Sequence, residues 1–208
     1  PVGPYEFHGP LALEPDRWAI DGTLLRHPER GCFHLWPGWE GEQNTAQHLY
    51  LCPMKNPLTP SGSRVLISSL LHEWERLGSG GPDGLPTINE GPQVLQKNGW
   101  THVVYSAAGS WSDHYCLGLL SLPPGADPLE PSAWQKRPRP VFASTHGIRA
   151  PGHASFTTDG EGTDWIVYHS ARRPGSGWDR QVRIQPFAWD GAFPVFGAPG
   201  VPPLGSRS

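Results

Sequence analysis

Two acidic residues stand in matching local settings. Asp21 lies in Trp18-Ala19-Ile20-Asp21-Gly22-Thr23 and Glu90 in Ile88-Asn89-Glu90-Gly91-Pro92-Gln93. Each is followed at once by glycine and heads an apolar run, Leu24-Leu25 and Val94-Leu95. Acids on exposed loops are solvated and carry no message. An acid set into an apolar strand does, because burying an unpaired carboxylate costs several kcal/mol. If both acids converge on one cavity, they form the pair that glycosidic bond cleavage requires, one carboxyl donating a proton and another acting on water. Taken alone, each acid could equally serve as a structural turn residue.

The elements that must position them are short strands. The 208 residues include 26 Gly, 25 Pro and 10 Trp but one Met. So much Gly and Pro implies many turns or disorder, and ten tryptophans argue against disorder. The expected class is all-β. A repeat is visible in three units of four short strands. The first runs from Trp18-Ala19-Ile20-Asp21 through Phe33-His34-Leu35-Trp36 and His48-Leu49-Tyr50-Leu51 to Arg64-Val65-Leu66-Ile67. The second runs from Gly91-Pro92-Gln93-Val94-Leu95 to Pro140-Val141-Phe142, and the third from Gly152-His153-Ala154-Ser155-Phe156 to Pro194-Val195-Phe196. Asn98-Gly99, Asp159-Gly160 and Asp190-Gly191 favour hairpins. Asp21 and Glu90 are 69 residues apart, Glu90 and His153 63. Repeated four-stranded units predict β-propeller blades whose first strands line a channel. The blades are placed at 18–70, 88–145 and 150–198 of one partial propeller domain over 1–208. Propellers close with about four to eight blades, so three would leave two open sheet faces, to be covered by further blades or a second copy.

The remaining composition narrows the function. Net charge is −3 and the basic residues do not cluster, which disfavours nucleic-acid and anionic-membrane partners. No apolar run approaches the ~20 residues of a membrane helix. Cys32, Cys52 and Cys116 are an odd set, read as small buried hydrophobes rather than a disulfide framework. No phosphate-binding loop, dinucleotide fingerprint or metal-binding cysteine pair is present. Trp18, Trp74, Trp100, Trp134, Trp165 and Trp189 are expected in or beside strands as core. Trp36, Trp39, Trp111 and Trp178 sit among Gly, Pro or Ser, where an exposed ring could stack on a sugar.

The chain resembles glycoside hydrolase family 43, on its arabinofuranosidase side. The segments that carry the resemblance are Trp18 to Thr23, Tyr50-Leu51-Cys52-Pro53-Met54-Lys55-Asn56-Pro57, Asn89 to Val94, Leu117-Gly118-Leu119-Leu120, Gly125-Ala126-Asp127-Pro128-Leu129, Pro151 to Phe156 and Trp165-Ile166-Val167-Tyr168-His169. The resemblance implies a five-bladed propeller and inverting hydrolysis of arabinofuranosyl or xylosyl linkages in plant cell-wall polysaccharide such as arabinan or arabinoxylan, by a secreted enzyme. It implies Glu90 as general acid and Asp21 as the second carboxylate that orients the acid and tunes its pKa. Arg180 would contact sugar hydroxyls, and Ile20, Trp36 and Trp111 complete the candidate substrate contacts. His153 would lie beside an ion, often calcium, in the channel, although Ala154 stands where the family has asparagine. The family's catalytic base is an aspartate of the first blade, and nothing before Trp18 resembles that blade. The resemblance thus covers about blades three to five. Two expectations stay open: a glycosidase whose base lies elsewhere or comes from another copy, or an inactive carbohydrate-binding propeller remnant.

Overall fold

A computed structural model describes residues 2–78 and 86–203. Its strands form three antiparallel units in chain order. In the first, β1 (Thr23–His27), β2 (Gly31–Trp39) and β3 (Ala46–Asn56) pair successively, and β4 (Thr59–Pro60) and β5 (Val65–Ser68) both pair with β3. The second is β6 (Thr87–Lys97), β7 (Trp100–Ala107), β8 (Cys116–Leu122) and β9 (Gln135–Lys136). The third is β10 (Arg149–Thr158), β11 (Asp164–Ala171), β12 (Arg180–Asp190) and β13 (Phe193–Val195). A short parallel contact, Ala46↔Thr87 and Gln47↔Ile88, joins the first two units. This is the all-β architecture of a propeller sector. The helical pieces among the described residues are the 3-10 turns Glu73–Arg76 and Pro131–Ala133. No helix there is long and apolar enough to cross a membrane.

The middle unit explains the packing. Val103 and Val104 are neighbours in β7, so they point to opposite faces. Both are buried: Val103 joins Leu25, Leu35, Leu49 and Leu51 in one core, and Val104 joins Leu119, Ile166, Phe187 and Phe196 in another. A sheet covered on both faces reads as a continuous apolar run rather than an alternation, and Cys116–Leu122 is buried throughout. Each such core side chain contributes about 1.5–3 kcal/mol. At the turn joining β6 to β7, Asn98 and Gly99 adopt φ of 50° and 81° between paired Lys97 and Trp100. Those are the conformations a two-residue hairpin of this twist requires.

The structure corrects several sequence expectations. Trp18–Asp21 is not a strand but a segment held by one bridge, Ala19↔Gly38, and the ladder starts at Thr23. The cause is local: Asp21 adopts φ 49°, which a regular strand cannot accommodate. Pro140-Val141-Phe142 likewise contributes one bridge, Leu117↔Phe142, while the edge of β8 pairs with Gln135–Lys136. Pro138 and Pro140 supply no N–H for a longer ladder. Trp36 and Trp39 are not loop residues but lie in β2. Trp36 is 2% exposed, packed against His34, Tyr50 and Cys52, so it offers no free ring face for a sugar. Trp18, expected in the core, is 37% exposed and stacks on Trp39 at 4.9 Å. The three cysteines are unpaired, with Cys52 and Cys116 buried.

Candidate active site

Asp21 lies just before β1, and Glu90 and His153 lie within the first half of β6 and β10, each where the backbone leaves regular geometry. Asp21 takes φ 49°, Gly91 φ 55° and His153 φ 50°. The ladder between β6 and β7 slips between Glu90↔Ser106 and Gln93↔Val104, and that of β10 slips on both sides of Gly152. Bulges of this kind re-aim side chains. Glu90 keeps its pairing with Ser106, and the bulge that follows it falls at Gly91-Pro92, where Gly91 supplies the left-handed residue.

The three units meet through these residues. Gly91 N–H donates to Asp21 Oδ2 at 3.1 Å, tying the second unit to the first. His153 Nε2 stands 3.9 Å from the same Oδ2, and His153 N–H donates to Ser106 Oγ at 2.7 Å. Tyr115, fully buried, donates its hydroxyl to Glu90 Oε1 at 2.6 Å. Its ring lies parallel to His169 at 6.0 Å, with the Arg180 guanidinium 5.2 Å from its centre. Gly152 makes room for that ring, since a Cβ there would stand 2.1 Å from Tyr115 Cε1. This gives the Pro151-Gly152-His153 motif a steric reason.

Electrostatics follow from the packing. Burial pushes the Glu90 carboxyl up; the Tyr115 hydrogen bond and the charge positions of His153 and Arg180 pull it down, and Asp21 pushes it up. The net direction is upward, toward a carboxyl that keeps its proton at higher pH. His169 is lowered to about 4, by burial first and then by Arg180 and His153. Arg180 Nε donates to His169 Nδ1 at 2.5 Å. A guanidinium can only donate, so that nitrogen carries no proton, in keeping with a neutral imidazole.

Arg180 opens β12 and is anchored rather than free. Nη1 donates to Ser110 O at 2.9 Å and Nη2 to Ala150 O. Asp179 does not pair with it but with Arg172 and Arg173 at 2.9 and 3.2 Å. Trp111 lies half-buried in the loop after β7, edge-on to Trp178 at 6.1 Å, and Trp178 Nε1 donates to Ser110 Oγ at 3.1 Å. Trp178 is 73% exposed, which makes it the open aromatic face beside Arg180. Ile20 is half-buried and donates its N–H to Pro37 O at 3.2 Å, fixing the segment before Asp21 to β2. The structure thus gathers Asp21, Glu90, His153 and Arg180 around Tyr115 and His169, sets Trp111 at the edge with Trp178, and leaves Trp36 in a core. Tyr115 and His169 escaped sequence reading: a tyrosine before a strand and a histidine within one are ordinary core residues until their partners are known.

The donors present at His153 do not by themselves assemble a calcium site. Among the described residues no group of three or more His, Cys, Asp or Glu comes together, whereas calcium takes six to eight oxygen ligands.

Comparison with known proteins gives the family and the fold. Residues 1–193 match the profile of glycosyl hydrolases family 43. The chain is 35% identical over 200 residues to "Alpha-L-arabinofuranosidase 43" of Humicola insolens, covering 88% of this chain and 39% of that protein. It is 33% identical over 217 residues to "Extracellular exo-alpha-(1->5)-L-arabinofuranosidase" of Streptomyces avermitilis, covering 98% and 43%. The crystal structure of an alpha-L-arabinofuranosidase from Lactobacillus brevis superposes with a TM-score of 0.80 at 29% identity, over 97% of this chain and 61% of that one. The chain thus spans less than half the length of these two curated relatives. With a profile match over nearly its whole length, this chain belongs to glycoside hydrolase family 43.

Proposed function

We propose that the protein is an arabinofuranosidase-type glycoside hydrolase that cleaves arabinofuranosyl linkages of plant polysaccharides such as arabinan with inversion, outside the cell. The observation that carries this reading is the state of Glu90. Its carboxyl is shielded, raised in pKa, and accepts from Tyr115 on Oε1. With Oε1 occupied by a donor, the acidic proton belongs on Oε2, and a proton donor of raised pKa is what leaving-group departure needs. In the proposed step Glu90 gives that proton to the glycosidic oxygen as the bond to the anomeric carbon breaks. A base carboxylate takes a proton from water, whose oxygen bonds to the opposite face of the sugar. Asp21, bonded to the backbone next to Glu90, serves as the carboxylate that keeps Glu90 protonated. Among the described residues it is the carboxylate that acts electrostatically on Glu90. The base is assigned to a segment outside this chain, a reading supported by the 39–43% of the relatives' length that the chain spans. Extracellular action is supported by the printed name of the Streptomyces avermitilis relative.

The test is Glu90→Gln in the full-length protein. Aryl arabinofuranosides with poor leaving groups should slow by about two to four orders of magnitude, the usual worth of general acid catalysis, and those with good leaving groups far less. Small, equal losses would remove Glu90 from the role, and retained sugar binding without any hydrolysis by the parent would favour a carbohydrate-binding remnant.

A further inference from the structure

One carboxylate is buried more deeply than either candidate catalytic acid. Glu75 is 0% exposed although it lies in the single 3-10 turn Glu73–Arg76. A buried carboxylate is strongly unfavourable unless paired and hydrogen-bonded, and its partners come from three strands. Oε1 receives Lys136 Nζ of β9 at 2.6 Å, Tyr105 Oη of β7 at 3.0 Å and Asn89 Nδ2 of β6 at 3.1 Å. Oε2 receives the His72 N–H at 2.9 Å. Asn89 is the residue before Glu90, and its Oδ1 accepts from Ser68 Oγ at 3.2 Å. Successive strand residues point to opposite faces. Asn89 therefore points into the Glu75 network while Glu90 points to the other face, where Tyr115 meets it, and fixing one fixes the roll of the strand that aims the other.

The same turn holds the opposite wall. Ala108 N–H donates to Glu75 O and Gly109 N–H to Leu77 O, each at 3.2 Å. The next residue, Ser110, gives its carbonyl to Arg180. One short turn thus braces the strand carrying Glu90 and the loop that anchors Arg180 and carries Trp111. Apolar residues of the same volume would serve packing alone at least as well as a buried ion pair, so packing does not explain the charge.

We propose that Glu75 is a positioning residue for proton donation: its buried carboxylate locks Asn89 and so sets the direction in which Glu90 presents its proton. This rests on the reading of Glu90 as the acid. The test uses the full-length protein and two aryl arabinofuranosides, one with a poor and one with a good leaving group. Glu75→Gln should lower kcat for the poor leaving group by about a hundredfold, the scale of a small misplacement of a reacting group, with a much smaller loss for the good one and little change in KM. Restoring a neutral pair with Glu75→Gln plus Lys136→Gln should recover most of the loss. A role confined to stability would lower the active fraction and reduce both substrates equally, and that result overturns the inference. Where Glu75→Gln does not fold, Tyr105→Phe removes one donor to the same oxygen while keeping the ring. It should show the same asymmetry on a smaller scale, and equal losses there count against the proposal in the same way. Glu90→Gln on the same substrates separates the two readings. Asymmetry in Glu90→Gln without asymmetry at Glu75 sinks this inference alone, and no asymmetry in Glu90→Gln sinks both.

Discussion

Replacing Tyr115 by phenylalanine isolates one force on Glu90. Phenylalanine keeps the ring that packs against His169 and beneath Arg180 but removes the hydroxyl 2.6 Å from Glu90 Oε1. That hydrogen bond is the largest influence holding the Glu90 pKa down, against the burial that raises it. A hydrogen bond to a charged group is worth about 1.5–3 kcal/mol. Removing it should therefore cost the ionised form that stabilisation and raise the Glu90 pKa further. Glu90 acts in its protonated form, so activity falls as pH rises through its pKa, and the basic limb of kcat/KM against pH reports that value in the free enzyme. In Tyr115→Phe the limb should move to higher pH, even as kcat at the optimum drops because the carboxyl is less firmly aimed. The assay is a pH series on full-length wild type and variant with one aryl arabinofuranoside. A limb that stays in place, or moves to lower pH, refutes the assignment of either the proton donor or its hydrogen-bond partner.

Three other perturbations have worked-out signs. Asp21→Asn keeps an oxygen to accept from Gly91 but removes the charge that raises Glu90, so the basic limb should shift to lower pH, opposite to Tyr115→Phe; the same pH series reads it. Arg180→Met removes the cation that, after burial, most depresses His169 from its ordinary value to about 4; imidazole NMR should show the His169 pKa rising, and an unmoved titration would place Arg180 away from that ring. Val182 and Ile184, on one face of β12, are 76% and 58% exposed, an apolar patch of the kind soluble monomers seldom leave bare. Light scattering on the 208-residue chain should show concentration-dependent association that Ile184→Lys weakens, and a monomer at all concentrations would count against that face as a packing surface.

Much of this protein was legible from residue order alone. Turn residues at Asn98-Gly99 and Asp190-Gly191 and short apolar runs point to an all-β chain of short strands, because hairpin geometry and strand alternation are local properties. The motifs around Asp21, Glu90 and His153 marked candidate chemistry, since an acid or imidazole set into an apolar strand must be accounted for. What local pattern could not decide was which side chains share a space. Trp36 reads as a loop aromatic beside Pro37 and Gly38, yet β2 continues through both residues and buries it. Asp21 reads as a strand residue, yet its left-handed backbone keeps it out of the ladder, which starts at Thr23, and its carboxylate accepts from Gly91 N–H. Tyr115, His169 and Glu75 carry no sequence signal, because their importance lies in partners 25, 11 and 14 residues away or more. Only tertiary packing brings Tyr115 to Glu90, His169 to Arg180 and Glu75 to Asn89. The sequence determines which residues are chemically able, and tertiary contact decides which carboxyl is buried, which is paired, and so which one can hold a proton.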